Sequence, residues 1–199
     1  MNSQDIRLRD ELLRKSIHVA SLWIPIGYMI LPEKQILIPL GVIVVIALIV
    51  ELLRTFWRTF EQAFEHVLGS LLRPREYKNL TGATTLLISA FLSILFFEKW
   101  IALLTVFLML ISDALGALVG RFWGKHYYKH DRSVEGSLAF LLSGLVMIHF
   151  VPNANHPIAI AGVISALFFE IGFVKLDDNF AVPIGSGVVM EVLSLLFVR

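Results

Sequence analysis

Runs of apolar residues alternate with short polar segments along most of the chain. Seven apolar runs lie near residues 17–31, 36–53, 81–97, 100–120, 137–151, 157–173 and 181–197. Because a helix needs about 20 apolar residues to cross a bilayer, the shorter runs must include flanking polar residues, tilt little or lie in a thinned bilayer. The pattern predicts an all-α fold, a polytopic membrane bundle of about seven transmembrane helices, with six spans as the main alternative.

The segment between the second and third runs has an amphipathic pattern instead. Its apolar helical face would carry Phe56, Trp57, Phe60, Phe64, Val67, Leu68 and Leu71, opposite Arg58, Glu61, Gln62, Glu65 and His66. A helix of this kind typically lies in the membrane interface. We therefore predict one interfacial helix here, and we give equal weight to the alternative that its aromatic stripe packs on neighbouring spans.

The composition supports a membrane protein. Hydrophobic residues make up 57% of the 199 positions and charged residues only 17%, whereas soluble domains carry about 25% charged residues. A soluble domain of this size could not bury so much apolar surface, so we predict that residues 1–199 form a single membrane-embedded domain. The absence of Cys excludes disulfides and thiolate metal sites, and the net charge of +1 argues against nucleic acid as a partner.

The basic residues fall mainly on one predicted side of the membrane. If the seven runs alternate in direction, all 17 Lys and Arg residues except Lys34, Lys99 and Arg199 lie on the same side. Cytoplasmic loops are enriched in Lys and Arg. We therefore predict a multi-pass protein of the cell membrane with a cytoplasmic amino terminus and a carboxyl terminus outside.

Every dense cluster of polar residues falls on that cytoplasmic side, and two of them flank the first and third runs. The first helix carries Glu11, Arg14, Lys15 and His18 on one face. Before the third run stand Lys78, Asn79, Thr81 and Gly82. The free N–H groups of a helix start beside a Lys form a natural phosphate cradle. The alternatives are a charged flank that orients the first helix and an ordinary N-cap on the third.

The fourth run ends with an acid inside an apolar helix. Small residues recur there every four positions, at Ser112, Gly116, Gly120 and Gly124, and Asp113 follows the first of them. Placing an Asp side chain within a membrane-spanning helix costs free energy. Asp113 is therefore a functional candidate, and its partner would be a metal ion or a cation. For the glycines, close helix packing is the better interpretation.

A basic loop follows the fourth run and leads into the fifth. Its basic residues are Arg121, Lys125, His126, Lys129, His130 and Arg132, and the next helix start carries Ser133, Glu135, Gly136 and Ser137. Cations followed by a helix start rich in Ser and Gly suit a polyphosphate. Glu135 has an alternative role, because an acid in a first turn interacts favourably with the helix dipole.

Two adjacent acids, Asp177 and Asp178, precede the last run together with Asn179. Adjacent carboxylates repel each other unless a divalent cation joins them, and oxygen ligands of this type suit Mg²⁺. The alternative is a capped helix start. Because Asp113 is predicted at the same membrane face, we predict that Asp113, Asp177 and Asp178 share one Mg²⁺ ion.

Oxygen ligands, a basic loop and several helix starts at one face predict phosphoryl or nucleotidyl transfer, in which catalysis is mostly positioning and charge neutralisation. The nucleotide would arrive from the cytoplasm and the acceptor from the lipid bilayer. The catalytic acids would be Asp113, Glu135, Asp177 and Asp178. The nucleotide would be bound by Arg14, Lys15, His18, Lys78, Asn79, Thr81, Gly82, Ser112, Arg121, Lys125, Arg132, Ser133, Gly136, Ser137 and Asn179.

Four stretches carry a family resemblance: Glu11–His18, Ser112–Arg121, Ser133–Ser137, and Asp177–Asn179 with Pro183. In this order they resemble the CTP-dependent lipid kinases, typified by dolichol kinase, phytol kinase and the CTP-dependent diacylglycerol kinase of yeast. The resemblance implies transfer of the γ-phosphate of CTP to a membrane lipid alcohol, which would be a polyprenol or dolichol, phytol or diacylglycerol. It also implies that the acidic residues hold Mg²⁺ and that the basic loop holds the triphosphate.

Two alternative functions stay open. Phosphatidate cytidylyltransferases, which make CDP-diacylglycerol, share the Ser-Asp and Glu-Gly elements, but their long carboxyl-terminal signature is missing from the sequence. A non-catalytic transporter or scaffold is the second alternative, although no paired repeats with broken helices are evident.

The acceptor contacts, the general base and the oligomeric state are also open. Glu51, Glu170 and Glu191 lie in or near predicted spans, where each could hydrogen-bond a lipid hydroxyl, pair with a cation or stay protonated. A homodimer is one oligomeric state that the sequence leaves open.

Overall fold

The computed structural model describes residues 13, 15–69, 72, 74–77, 79–129, 132–172 and 176–197, most of which are helical. The helices are residues 15–20 (α1), Trp23–Ile30 (α2), Glu33–Phe56 (α3), Arg58–Leu68 (α4), Gly82–Phe96 (α5), Lys99–Phe107 (α6), Asp113–Trp123 (α7), Val134–Ile148 (α8), His156–Glu170 (α9) and Asp178–Phe197 (α10). A 3-10 turn spans Pro74–Tyr77, and a π-helical turn at Leu108–Ser112 joins α6 to α7.

Each of the seven apolar runs contains helix, and three helices are long and apolar enough to cross a membrane. These are Glu33–Phe56, the continuous helix Lys99–Trp123 and Asp178–Phe197. Shorter apolar helices span Gly82–Phe96, Val134–Ile148 and His156–Ile171. The chain is therefore a helical bundle with the composition of a membrane protein, whereas the predicted seven spans are not shown.

The first apolar run is divided into two short helices. A turn at Ser21 and Leu22 separates α1 from α2. Pro25 lies one turn later and has no N–H to donate to the carbonyl of Ser21, and its ring would clash with that carbonyl in a continuous helix. The run at residues 17–31 is therefore not one continuous helix, and Pro25 is the sequence signal for the break.

The centre of the bundle is α6 with the π-helical turn. All side chains from Ile101 to Leu110 are buried. Nearby, α7 packs closely on α8, because a Cβ atom on Gly136 would lie 2.7 Å from the carbonyl oxygen of Gly116 and 3.1 Å from the Cα of Gly120. The close-packing interpretation is confirmed for these glycines, since only a missing side chain permits this approach.

Helix α4 is the amphipathic helix predicted between the second and third runs. Its apolar face is divided, because Val67 is 73% exposed whereas Phe60 and Phe64 are partly buried. The ring of Phe64 lies 5.4 Å from the guanidinium of Arg54 on α3. The packing alternative therefore holds for Phe64, while the interfacial location stays a prediction. Leu71 lies outside the described residues.

The basic loop after α7 folds into a short β-hairpin, which the all-α prediction does not include. Strand β1 (Tyr127–Lys129) pairs antiparallel with β2 (Arg132–Ser133). The Nζ of Lys129 donates to the carbonyls of Ile171 and Gly172, at 2.5 and 2.9 Å. The hairpin is thus tied to the end of α9, because a Lys satisfies the terminal carbonyls of a helix.

Candidate active site

Asp113 is the first residue of α7 and contacts two basic residues of α1. The Nζ of Lys15 lies 2.5 Å from Oδ2 of Asp113 and 3.5 Å from its carbonyl oxygen. The Nδ1 of His18 lies 3.5 Å from the same Oδ2. Lys15 and His18 are only 5% and 8% exposed. The structure thus joins the basic face predicted on the first helix to the acid predicted in the fourth run. Arg14 and Glu11 lie outside the described residues.

The π-helical turn directly before Asp113 is a second feature of this region. Such turns are rare and frequently occur at functional sites. Ser112, at its end, is fully buried, and its hydroxyl has no hydrogen-bond partner within the described ranges. Natural interiors rarely keep a buried hydroxyl unpaired, because its desolvation costs free energy. This cost, next to the Asp113 contacts, marks the segment as a candidate for function.

A cavity of about 130 Å³ is lined in part by Lys15 and His18, the two residues that contact Asp113. Its polar lining residues are Lys15, His18, Glu76, Thr81, Gly82 and Asn179. Its apolar lining residues are Ile17, Phe64, Leu68, Leu72 and Ala83. All of the polar lining residues except Glu76 are predicted nucleotide ligands, drawn from three distant parts of the sequence. The cavity therefore combines the predicted phosphate-binding groups with apolar side chains.

The starts of α5 and α10 meet at this cavity. Thr81 is the N-cap of α5, and its Oγ1 accepts a hydrogen bond from the backbone N–H of Thr84 at 3.3 Å. The side-chain amide of Asn179 donates to the carbonyl of Gly82 at 3.1 Å. The N-cap interpretation is thus confirmed for Thr81, and the phosphate cradle stays a prediction. Lys78 lies outside the described residues.

Asp178 belongs to a second charged cluster, beside the β-hairpin. The Nη2 of Arg132 lies 2.8 Å from Oδ2 of Asp178, and its Nη1 lies 3.2 Å from Oε1 of Glu170. The hydroxyl of Ser137 donates to the other oxygen of Glu170 at 3.4 Å. Arg132 and Ser137 thus join Glu170 at the end of α9 to the hairpin and to the start of α8.

The predicted Mg²⁺ ligands do not form a metal-binding group in this arrangement. Within the part of the chain that the structure describes, no three His, Cys, Asp or Glu side chains come together in a way that could hold a metal ion. Asp113 faces Lys15, and Asp178 faces Arg132. Asp177 accepts the N–H of Asn179 at 3.0 Å, as in a capped helix start. The shared Mg²⁺ site stays a prediction.

Glu135, predicted as a catalytic acid, is paired beside the hairpin. Its Oε1 lies 2.7 Å from Nδ1 of His126, and its Oε2 accepts the backbone N–H of His126 at 3.3 Å. Glu135 precedes the apolar segment 137–151. The hydrogen bond from the side chain of His126 is the main cause that lowers the pKa of the Glu135 carboxyl to about 2. In this structure Glu135 therefore links the hairpin to the start of α8.

The remaining predicted nucleotide ligands that the structure describes do not line the cavity. Ser133 is buried and caps α8, because its Oγ accepts the N–H of Gly136 at 3.1 Å. Ser137 lies 2.6 Å from the hydroxyl of Tyr128. Arg121 and Lys125 are exposed. The cavity lining includes none of these residues among those described.

Sequence reasoning missed part of the cavity wall. Glu76 carries no motif, and the amphipathic pattern predicts only that Phe64 and Leu68 face the membrane interface or pack on neighbouring spans. Their contribution depends on how α4 folds back along α3, which helical periodicity does not specify. The only sequence signal for the place of these residues in the cavity wall is that an aromatic helical face precedes a candidate phosphate site.

Two of the candidate lipid-hydroxyl ligands are paired with cations. Glu51 lies 2.6 Å from Arg54, and Glu170 lies 3.2 Å from Arg132. The cation-pairing alternative is thus confirmed for both. For Glu51 the signal was the spacing of three residues to Arg54 on one helical face. Glu191 accepts a backbone N–H from Glu98 at 3.1 Å.

Comparisons with known proteins confirm the resemblance to CTP-dependent lipid kinases. The chain is 26% identical to the CTP-dependent diacylglycerol kinase 1 of Saccharomyces cerevisiae over 82% of its own length, and 26% identical to that of Eremothecium gossypii over 80%. It spans 66% and 59% of those two proteins. An uncharacterized protein of Rickettsia prowazekii is 25% identical, with 87% of this chain and 90% of that protein covered. No family model and no solved structure matches the chain.

Proposed function

We propose that this protein is a membrane-embedded kinase that transfers the γ-phosphate of CTP to the hydroxyl group of a lipid. The observation that carries the proposal is the cavity lined by Lys15 and His18, because its lining combines these basic side chains with apolar ones. A kinase with a soluble acceptor would not need the apolar part. The names of the similar proteins support CTP as the donor and a lipid as the acceptor.

The polar lining residues have complementary roles in this proposal. Lys15 and His18 would bind phosphate oxygens, because both are basic groups at the cavity wall. The start of α5 at Thr81 and Gly82 would bind a further phosphate, since helix N-termini attract anions. Asn179 would keep that start in place through its hydrogen bond to Gly82.

The proposed reaction exchanges one phosphorus–oxygen bond for another. The lipid hydroxyl oxygen forms a bond to the γ-phosphorus while the bond from that phosphorus to the β–γ bridging oxygen breaks, and CDP leaves. The hydroxyl proton passes to a carboxylate at the site that is not a ligand of the metal.

Mg²⁺, when bound, supplies the charge that neutralises the triphosphate. Carboxylate oxygens suit this ion, and Asp113, Asp177 and Asp178 would hold it. Lys15 and Arg132 now provide the positive charge opposite two of these acids. If these acids held the ion, Lys15 and Arg132 would be available to bind phosphate oxygens.

Diacylglycerol is our first choice of acceptor, because the similar kinases carry that substrate in their names. Phytol and polyprenols such as dolichol are the other candidates. We further propose that residues 1–199 act as one catalytic domain with seven spans and a cytoplasmic amino terminus, as the cation distribution indicates.

A labelling experiment tests the reaction. The purified chain in mixed micelles is incubated with γ-labelled CTP, Mg²⁺ and either diacylglycerol, phytol or a polyprenol, and the lipids are separated by thin-layer chromatography. We expect label in phosphatidate. A parallel incubation with α-labelled CTP and phosphatidate distinguishes the alternative, since only a cytidylyltransferase would move the α-label into lipid. No transfer in either incubation would refute the enzymatic function.

The proposed topology is tested with introduced cysteines, because the chain has none of its own. Asn155→Cys should react with an impermeant thiol reagent on intact cells. Lys125→Cys, on an exposed side chain, should react only after the membrane is permeabilised. The reverse labelling pattern would contradict the proposed orientation.

A further inference from the structure

A buried ion pair lies near the end of α3, outside the cavity. Glu51 and Arg54 are 5% and 7% exposed. The Nη2 and Nε of Arg54 donate to Oε2 of Glu51 at 2.6 and 3.1 Å. The desolvation of two buried charges offsets most of their attraction, so such a pair is a weak source of stability. Its presence in an apolar helix indicates another role.

Arg54 connects this pair to the chain between α4 and α5. Its Nη1 donates to the carbonyl of Glu76 at 2.8 Å, and its Nη2 donates to the carbonyl of Asn79 at 2.7 Å. One planar guanidinium thus serves a carboxylate and two carbonyls at the same time. This arrangement needs the fixed fork of donors that Arg has and Lys lacks.

Glu51 holds the other end of the same segment. Its Oε1 accepts the backbone N–H of Thr81 at 2.8 Å and the hydroxyl of Thr84 at 2.9 Å. Hydrogen bonds to a carboxylate are charge-assisted and roughly twice as strong as neutral ones. Together the two residues hold four points of segment 76–84, and we call this pair the 51–54 clamp.

The clamped segment forms one wall of the cavity. Glu76, Thr81, Gly82 and Ala83 line it. Residues 79–81 are neither helix nor strand, and backbone groups outside regular elements need other partners. Here the Asn79 carbonyl bonds to the side chain of Arg54, and the Thr81 N–H bonds to the side chain of Glu51. The clamp supplies such partners from the rigid helix α3.

We propose that Glu51 and Arg54 are positioning residues that hold the start of α5 where it can bind a nucleotide phosphate together with Lys15 and His18. The inference rests on the proposed function, because it takes the nucleotide as the ligand of that helix start. Neither residue lines the cavity, so the clamp acts through segment 76–84 and does not touch substrate.

The test uses the full chain in lipid-containing micelles and two measurements. The first is amide hydrogen exchange of peptides that cover residues 79–85, and the second is the KM for CTP and for diacylglycerol. Arg54→Lys keeps the charge opposite Glu51 but lacks the fork. The double variant Glu51→Gln/Arg54→Met removes both charges and serves if the single variant does not fold. Ser89→Ala is the matched control, because Ser89 is fully buried on α5 and donates only to Thr85 of its own helix among the contacts described.

We expect faster exchange over residues 79–85 in both clamp variants, and a KM for CTP raised about tenfold by the loss of one or two hydrogen bonds. The KM for diacylglycerol should stay within about twofold, because the clamp is proposed to position only the nucleotide site. A purely structural defect would instead lower the fraction of active enzyme and would not change the KM for one substrate alone. Ser89→Ala should match the wild type in both measurements.

Three outcomes would count against the inference. Unchanged exchange in both variants would show that no clamp exists. Faster exchange with an unchanged KM for CTP would refute the positioning role alone. If the wild type transfers no phosphate from CTP, the proposed function and the positioning role both fail, while the exchange measurement still decides whether the clamp holds the segment.

Discussion

The Asp113–Lys15 pair and the Glu51–Arg54 pair are both contacts between a carboxylate and a cation in the helical bundle, but their surroundings differ. Arg54 and Glu51 each extend further hydrogen bonds to the backbone or side chains of segment 76–84. Lys15 lines the cavity, next to the partly exposed Asp113. The Glu51–Arg54 pair is therefore bonded to protein groups, whereas the Asp113–Lys15 pair lies at a cavity that a ligand can enter.

This difference separates a structural ion pair from one that is available for chemistry. Hydrogen bonds from these side chains to the backbone fix the position of the segment. Breaking one of them costs the desolvation free energy of the buried group that is left without a partner. A cation at a cavity wall can instead exchange its carboxylate partner for a phosphate. Breaking the Glu51–Arg54 pair should therefore lower stability first, and breaking the Asp113–Lys15 pair should lower turnover first.

The largest effect is expected for Arg54→Met alone. The variant leaves the carboxylate of Glu51 buried without its cation, which should lower the free energy of unfolding by about 3 to 5 kcal/mol. SDS-induced unfolding in mixed micelles measures this change. The double variant Glu51→Gln/Arg54→Met should recover most of the loss, because it leaves no unpaired charge. Equal destabilisation by the single and double variants would contradict the assignment of a structural ion pair.

Asp113→Asn should give the next largest effect, a fall in kcat of roughly 100-fold or more, because a charge that acts in the transition state is lost. The same fall is expected for at least one of Asp177→Asn and Asp178→Asn if the three acids share Mg²⁺. Kinetics are measured across a Mg²⁺ titration.

Thermal melting is the control for Asp113→Asn, because the variant leaves the buried ammonium of Lys15 without its acid. We expect a lower Tm but a folded protein, because Asp113 is partly exposed and its pair with Lys15 is less desolvated than a fully buried one. A folded variant with wild-type turnover and wild-type Mg²⁺ dependence would falsify the catalytic role of Asp113.

Much of the fold was predictable from local patterns, because hydrophobic periodicity reports on single helices. The apolar runs, the amphipathic helix α4 and the close packing of the glycines in α7 were of this kind, whereas the helix against which those glycines pack was not. The β-hairpin was not, since its short strands carry charged and aromatic residues without apolar alternation. The break in the first run was signalled by Pro25, which is a local cue.

The candidate site was predictable only as a set of residues on one membrane face. The polar motifs at Lys15, Thr81 and Asn179 indicated phosphate chemistry, and the structure brings them to one cavity. Which acid meets which cation was not predictable, because Asp113 and Lys15 are 98 positions apart. The pairing of Arg132 with Asp178 likewise depends on how the bundle packs.

Phe64 sharpens the comparison, because it lines the cavity and also lies over Arg54. Phe64→Ala removes apolar wall area and should raise the KM for diacylglycerol about tenfold, given about 25 cal/mol for each Å² of lost apolar contact. The KM for CTP should change by less than about twofold, since Arg54 keeps its hydrogen bonds. Val67→Ala, an exposed position on the same helix, is the matched control. A larger change in the KM for CTP than for the lipid would contradict an acyl-chain role for Phe64.

The smallest effect is expected for Lys125→Ala, which contrasts an exposed cation with the buried Lys15. Lys125 is exposed and is absent from the cavity lining. It can therefore attract the nucleotide only through solvent, where salt screens an exposed charge.

We expect the KM for CTP to rise about threefold at low ionic strength, with kcat unchanged, because exposed charge pairs contribute less than about 1 kcal/mol. The difference from wild type should vanish as the salt concentration approaches about 1 M, where the screening length falls to about 3 Å. KM measurements across a NaCl series test this expectation. A large, salt-independent effect would mean that Lys125 contacts the triphosphate directly, and the basic loop would then belong to the binding site together with the cavity.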